Sequence, residues 1–598
     1  MIFGKHINRY YLRYLPVLIL GIAALVLVDY MQLVIPEFYR TVVNGLISGT
    51  AEIDGITVPF DMVYLLDKVC LPMIYVILCM VFGRFLWRVC LRGAAVRMET
   101  DLRGRMFDHC KDLSQQYYQT NKVGSLMTLF TNDLETVQEC FGWGVLMFCD
   151  ALFLCVMALI KMYSMDPLLT LFSMIPMGFL LAIGAVLDHN LEKRWDERQA
   201  AFSSLSDFSQ ENFSGIAVVK AFVKETVNLM NFRKINRRNE DANVAHTKLS
   251  TLLNVLVTLF VESVICVILG YGGYLVLKGY FDAGQLVEFI GYFTAIVWPI
   301  MAVSQLIEMR SRGKASLKRI GELLDAEVNV RDREDVTEPE PLKGHIEFRN
   351  LTFRYPQAEY DALDSVSFEI REAEHMGIIG KTGSGKTTLV DLLLRTYNVP
   401  DGTLFIDGHD INSIPIRTVR KFCAYVPQDN FLFSDTIANN IAFSGSTDGE
   451  NIREAAKMAD IHDNIEEFAN GYETILGERG VTVSGGQKQR ISIARALIKD
   501  AGLLILDDSV SAVDVRTEKV ILSNLRRSRE GKTTILIAHR ISTIESMDKI
   551  VFMDEGRIVA VGTHEELYRN CREYHNMVEL QRLDDESKDY PKEVVADV

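Results

Sequence analysis

Six apolar stretches, each roughly 20 residues long, constrain this 598-residue chain more than any other feature. They lie near 15–38, 69–90, 142–162, 168–187, 252–277 and 286–307. A run of that length crosses a hydrocarbon layer only as a helix, because every backbone N–H and C=O must then be satisfied within its own segment. The first half of the chain therefore reads as an all-α, six-helix transmembrane domain with membrane lipid as its solvent. Lys5, Arg9 and Arg13 precede the first run like the basic start of a secretion signal, but the run is too long and five more follow, so it reads as a retained anchor.

Basic residues set the orientation. The second-to-third connection carries Arg92, Arg97, Arg103, Arg105, Lys111 and Lys122, and the fourth-to-fifth carries Lys193, Arg194, Arg198, Lys220, Lys224, Arg233 and Lys234. Both connections are expected on the cytoplasmic side of the cell membrane, which puts both termini there as well. They are rich in helix formers and poor in Gly and Pro, so the spans are expected to continue as helices beyond the bilayer. Ionisable residues in or beside the spans are costly in lipid and invite functional readings: Asp29, Glu37, Arg84, Arg88, Glu262 and Glu308. Arg84, Arg88 and Arg92 share one helical face, suited either to an anionic or amphipathic substrate or to snorkelling and pairing with Glu262. Trp298-Pro299 interrupts the sixth span and reads as a packing kink.

A chain with 49% hydrophobic residues and 24% charged ones combines an oily part with an ordinary water-soluble one. Its net charge of −15 disfavours a nucleic-acid partner, which needs a basic face, so none is expected. The ten cysteines form no CxxC pair and read as reduced, mostly buried thiols. Apolar runs stop after Ser311 and a charged, Pro-containing stretch follows, which divides the chain into a transmembrane domain (1–312), a linker (313–342), a soluble domain (343–580) and an acidic tail (581–598), the last expected to be solvated and disordered.

The soluble domain contains Gly380-Lys381-Thr382-Gly383-Ser384-Gly385-Lys386-Thr387-Thr388 between a strand-like and a helix-like segment, the GxxxxGK[ST] pattern of a P-loop NTPase with an α/β fold. Glycines let backbone amides curl round phosphate oxygens, Lys386 can neutralise the β and γ phosphates, and Thr387 can offer its hydroxyl to Mg²⁺. The strand 503–506 ends in Asp507-Asp508, which places Asp507 as the carboxylate beside the metal.

Between these two motifs lies Ser484-Gly485-Gly486-Gln487, which resembles the signature of the ATP-binding cassette (ABC) family. Other landmarks follow in the family's order. Tyr355 resembles the aromatic that stacks on adenine, Gln428 the glutamine that reaches Mg²⁺ and senses the membrane domain, Asp514 the loop that crosses the dimer interface, and His539 the switch histidine that holds the γ-phosphate. The segment 215–222 is similar to the one preceding the tip that contacts a nucleotide-binding domain. The resemblance covers nearly the whole chain. It implies a nucleotide-binding domain that uses ATP and Mg²⁺, bound by Tyr355, Gly380, Thr382 to Thr388, Gln428 and Asp507, with Thr387, Gln428 and Asp507 at the metal. It also implies an exporter of small molecules built as a dimer, in which Ser484 to Gln487 complete the partner's site.

The sequence departs from the family at Asp508, where efficient members carry the Glu that polarises the attacking water. An aspartate withdraws the carboxylate by one methylene, and positioning of a general base is worth about 10²–10⁴ in rate. This pattern resembles the weakly hydrolysing half of heterodimeric multidrug-type exporters, with Asp508 and His539 as the catalytic pair of its own site and a second ABC half-transporter as partner. Open alternatives are a homodimer that uses Asp508, a dedicated lipid or peptide exporter, and an ATP-gated regulator that transports little.

Overall fold

The computed structural model describes residues 3–53, 56–477, 480 and 482–589. The chain forms two compact units, Met1–Asp108 with Gly124–Asp325, and His109–Val123 with Ala326–Val598.

The first unit is built on six long helices: α1 (Leu15–Ser48), α2 (Leu71–Asp112), α3 (Leu134–Met165), α4 (Pro167–Ser214), α5 (Glu225–Val267) and α6 (Ala283–Leu324). The expected spans map onto them, except that the second begins in the π-helical turn Leu65–Cys70 and the fifth runs on from α5 through the π-helical turn Ile268–Gly272 into a short helix, Gly273–Leu277; a further π-helical turn, Leu129–Asp133, adjoins α3. Five carry apolar windows long enough to cross a membrane; on α4 the described apolar run is Pro167–Phe179, and side chains 180–181 and 184–189 lie outside the described residues. Tight connections follow from capping. Asp166 accepts from the Leu169 amide at 2.6 Å ahead of Pro167, and Asp282 forms a reciprocal capping box with Gln285 at the start of α6. The core of this unit gathers Leu33 of α1, Leu154, Ala158 and Met162 of α3, and Phe289, Tyr292, Phe293 and Ile296 of α6, all buried.

Pro299 lies inside α6, which stays helical across it. Three expectations need correction here. Arg84 and Arg88 make no ion pair with Glu262 among the described residues; Arg88 stacks on Trp87 with its guanidinium 5.3 Å from the ring centroid. The linker begins near Asp325 and not at residue 313, because Leu317, Ile320 and Leu323 recur at helical spacing and are buried, an amphipathic pattern that a search for apolar runs passes over. The acidic tail is helical as far as Asp589, in a helix that starts at Arg572, and residues 590–598 lie outside the described residues. The ten cysteines are all free, with five buried and only Cys266 exposed.

In the second unit a six-stranded sheet has the order β10-β9-β3-β8-β7-β6, with β3 (His375–Gly380), β6 (Cys423–Val426), β7 (Leu503–Asp507), β8 (Thr533–Ile537), β9 (Lys549–Asp554) and β10 (Arg557–Gly562). All neighbours are parallel except β10, which returns antiparallel beside β9. Strands β7 and β8 are buried along their whole length, as central parallel strands covered on both faces must be, which is why they carry the apolar runs Leu503 to Leu506 and Ile535 to Ile537. A four-stranded antiparallel sheet, β2-β1-β4-β5, adjoins it with β1 (Ile346–Phe353), β2 (Leu363–Ile370), β4 (Leu404–Ile406) and β5 (His409–Asp410).

The tip of the second-to-third connection belongs to this unit. Its short helix Gln115–Thr120 presents Gln119, whose Oε1 accepts from the Tyr397 hydroxyl at 2.6 Å, and His109 Nε2 lies 3.0 Å from the Ala326 carbonyl. The segment singled out in the fourth-to-fifth connection forms a separate helix, Ile216–Ala221, followed by exposed Phe222 and Val223.

Candidate nucleotide-binding site

The site grows from the ends of β3, β6, β7 and β8, because parallel strands deliver their following loops to one edge. The loop after β3 leads into α7 (Lys386–Leu393). Two glycines make the turn. Gly385, the N-cap, has φ of +92°, and a Cβ there would lie 2.6 Å from the Ala362 carbonyl oxygen; a Cβ on Gly380 would collide with the Met553 carbonyl. Thr382 and Gly383 are exposed and Ser384 is buried. Lys386 is buried and its Nζ donates to the Gly380 and Lys381 carbonyls at 2.9 and 2.7 Å. Burial holds its pKa below the usual lysine value, with Asp507 and Asp508 acting against that.

Asp507 closes β7 with 1% of its surface exposed, and its Oδ2 has no hydrogen-bond partner. Burial pushes its pKa up, while the nearby Thr387 hydroxyl and Lys386 act to lower it. An orphaned buried carboxylate oxygen beside a hydroxyl is what a divalent cation needs, so Thr387 and Asp507 fit Mg²⁺. Gln428, two residues beyond β6, is exposed and donates through Nε2 to Asp508 Oδ2 at 3.4 Å, which adds its amide to the same edge. Asp508 has φ of +47°, its N–H donates to the Ile537 carbonyl at 2.9 Å, and its own carbonyl accepts from Ser511 Oγ at 2.9 Å. Aspartate tolerates this left-handed conformation better than most L-residues.

Tyr355 and Thr388 face each other. The Tyr355 hydroxyl donates to Thr388 Oγ1 at 3.0 Å and lies 3.2 Å from Asp391 Oδ2, and its ring stands edge-on to Phe353 and Tyr397 at 5.1 Å each. The structure thus engages part of the tyrosine in the packing of α7, and the Thr388 hydroxyl is turned toward it. Ser484 is the N-cap of α8 (Gly485–Leu497): its Oγ accepts from the Gln487 amide at 3.3 Å and its own amide donates to Gln487 Oε1 at 2.9 Å. Ser484 and Gly485 stay exposed at the positive end of a 13-residue helix. Asp514 caps α9 (Val515–Ser528), accepting from the Arg516 and Thr517 amides at 3.1 and 3.0 Å, and the Thr517 amide holds its carboxyl below the usual range.

Three positioning residues escaped the sequence reading. Gln489 of α8 is buried; its Oε1 accepts from the Ala512 amide at 3.0 Å, which ties the signature helix to the loop before Asp514. Arg495, one helical turn and more further on, donates to the Asn440 and Phe431 carbonyls at 2.8 Å each, anchoring the segment that follows Gln428. Gln581 lies on α10 (Arg572–Asp589): its Nε2 donates to the His539 carbonyl and its Oε1 accepts from the Ile541 amide, both at 2.8 Å. A buried glutamine two residues past the signature is visible in the sequence; a brace contributed some 40 residues downstream carries no local signal. Replacing Gln581 with Ala removes both bonds at about 1 kcal/mol each. Amide exchange at Ile541 should then accelerate by roughly fivefold to thirtyfold while that of β8 stays unchanged, which hydrogen-exchange mass spectrometry can read.

Residues 18–300 match the family model described as ABC transporter transmembrane region, and residues 363–511 match the one described as ABC transporter. The chain belongs to the ABC transporter family. The probable multidrug resistance ABC transporter ATP-binding/permease protein YheI of Bacillus subtilis is 35% identical to the transporter over 586 residues, 97% of each chain. The multidrug resistance-like ATP-binding protein MdlA of Escherichia coli is 34% identical over 578 residues, 96% of this chain and 95% of that one. A solved bacterial Atm1-family ABC exporter with ATP bound shares the fold, with a TM-score of 0.77, 24% identity and coverage of 96% and 98%. The transporter is thus a multi-pass membrane protein whose helical domain is fused to an ATP-binding cassette, with ATP hydrolysis coupled to transport.

Proposed function

We propose that the transporter is one half of a dimeric exporter of small hydrophobic or amphipathic compounds, and that its own ATP site hydrolyses slowly. The relatives named for multidrug resistance support the substrate class. The observation that carries the asymmetry is Asp508, a carboxylate one methylene short of the usual glutamate, held in a left-handed turn that aspartate suits. In the chain's own site, P-loop amides and Lys386 take the β and γ phosphates, while Thr387, Asp507 and Gln428 would hold Mg²⁺. That ion, when bound, offsets phosphate charge. Tyr355 offers the exposed part of its ring to adenine, and His539 reaches the γ-phosphate. Ser484 to Gln487 at the start of α8, the first two of them exposed, complete the other half's site across the interface along which Asp514 runs.

A partner is also supported by the apolar tip around Ile216–Ala221, whose exposed Phe222 and Val223 need cover. Positive charge on both long connections supports cytoplasmic termini and a place in the cell membrane. ATP drives export only because it binds the closed pair of cassettes better than the open pair. ATPase activity in lipid, measured for the chain alone and with a partner half, tests this. Activity confined to the pair is expected, and ordinary exporter rates from the chain alone would overturn the asymmetric assignment. One observation favours that second reading, a homodimer using Asp508: its carboxylate does reach Gln428.

A further inference from the structure

Two cavities inside the second unit share a wall. The first, of about 380 Å³, is lined by Ile416, Arg417, Arg420, Lys421 and Lys499, which is four cations and no acid. The second, of about 620 Å³, takes in Ile416 and Arg420 again and reaches the tip of the second-to-third connection. Its other charges balance, Lys111 and Arg331 against Asp112 and Asp332. Positive charge is thus gathered at one end of the pair, on a chain whose net charge is −15. Two of the four cations are fixed in place. Arg420 donates through its guanidinium to the Leu394 and Arg395 carbonyls at 3.1 and 2.8 Å, and Lys499 Nζ donates to the Arg420 and Cys423 carbonyls at 2.6 and 2.5 Å. The other two are uncommitted: Arg417 and Lys421 are exposed and make no hydrogen bond or ion pair among the described residues.

Arg417, Arg420 and Lys421 stand at i, i+3 and i+4 of the short helix Ile416–Phe422, and like charges at that spacing repel one another. An anion seated between them reverses the sign of that term. A second observation points the same way: Ser114 borders the second cavity, has 7% of its surface exposed, and its hydroxyl has no hydrogen-bond partner. A buried hydroxyl left unpaired is costly until an acceptor reaches it. Forked guanidinium donors and ammonium groups match phosphate oxygens, and an anion of several charges answers four cations where a single carboxylate would leave most of them unmet. The first cavity alone has the volume of a small-ligand site. We propose that these cavities form a site for a small, multiply phosphorylated anion, held by Arg417, Arg420, Lys421 and Lys499 and extending toward the Ser114 hydroxyl. None of the P-loop residues lines either cavity, so this site is separate from the ATP site. It stands whatever the transporter carries.

The test is lysine-acetylation mass spectrometry of the full-length transporter in phosphatidylcholine nanodiscs, titrated with inorganic tripolyphosphate in metal-free buffer. Lys421 should be protected about fivefold or more at saturation. Arg417→Ala should raise the half-protecting concentration about tenfold and Ser114→Ala about threefold. The arginine holds no other group, so its loss leaves the fold intact and the test decisive. Lys386→Ala, which disables the P-loop, should leave the Lys421 curve in place, and so should Lys457→Ala, which removes an exposed cation elsewhere in the cassette. Absence of protection, the same protection from sodium chloride at equal ionic strength, or an equal shift from Lys457→Ala overturns the site. An unchanged curve in Ser114→Ala overturns the extension into the second cavity. Phosphatidylglycerol in place of phosphatidylcholine separates the two sources of phosphate: Lys421 should stay reactive without tripolyphosphate, and protection by the lipid alone overturns a soluble ligand.

Discussion

Asp508→Glu should raise ATP hydrolysis at the site built on the chain's own P-loop and Asp507 by about 10²-fold or more, the lower end of what a well-placed general base contributes. The longer side chain carries its carboxylate one methylene toward the γ-phosphate side of β7. The same change has a cost, because residue 508 has φ of +47° and glutamate is less at ease there than aspartate. A loss of about 1 kcal/mol in stability should accompany the gain in rate. Asp508→Asn separates the two effects, since it keeps the turn and removes the carboxylate. It should leave stability within a few tenths of a kcal/mol and abolish what hydrolysis the site retains. Single-turnover hydrolysis in the assembled pair, with the partner's site inactivated, is the measurement. No gain from glutamate would mean that this site is limited elsewhere.

Lys386→Ala should have the largest effect on nucleotide affinity. Its ammonium is buried among the Gly380 and Lys381 carbonyls and the two carboxylates that end β7, and it is the positive group the P-loop directs at phosphate. Its removal should lower ATP affinity at this chain's site by about 10²-fold or more. The loop's shape should survive, because Gly380 and Gly385 set it through the close approach of Met553 and Ala362. Ser484→Ala should act elsewhere. It removes the cap hydroxyl that accepts from Gln487, costs α8 about 1 kcal/mol, and slows turnover at the partner's site with this chain's affinity unchanged. Site-resolved photolabelling with a nucleotide analogue reads both, and equal effects of the two changes on one site would contradict the crossed arrangement.

The sequence made visible whatever rests on a run or a fixed spacing. The six spans, the P-loop between strand and helix, the strand ending at Asp507 and the signature at a helix start are all local patterns, and the structure places each on the expected element. What stayed hidden depends on contacts between distant segments. Tyr355 resembled an aromatic that stacks on adenine, and only packing shows its hydroxyl spent on Thr388 and Asp391. Asp29 was singled out as a costly acid, but that it is buried to 2% exposure emerges only from helix packing. The end of α6 was misplaced because its last turns are amphipathic, with buried Leu317, Ile320 and Leu323 separated by Lys318, Arg319 and Glu322.

The tip of the first long cytoplasmic connection, residues 109–123, is part of the cassette's compact unit and hydrogen-bonded to it through Gln119 and Tyr397. The cassette is therefore not a module that one cut can release. Severing the chain at residue 326 yields a fragment missing a surface piece that the polypeptide supplies 200 residues earlier, with the Tyr397 hydroxyl stripped of its acceptor. Engineers who graft this cassette onto another membrane domain must carry that loop with it as a second insert, or accept a bare patch where the loop used to sit.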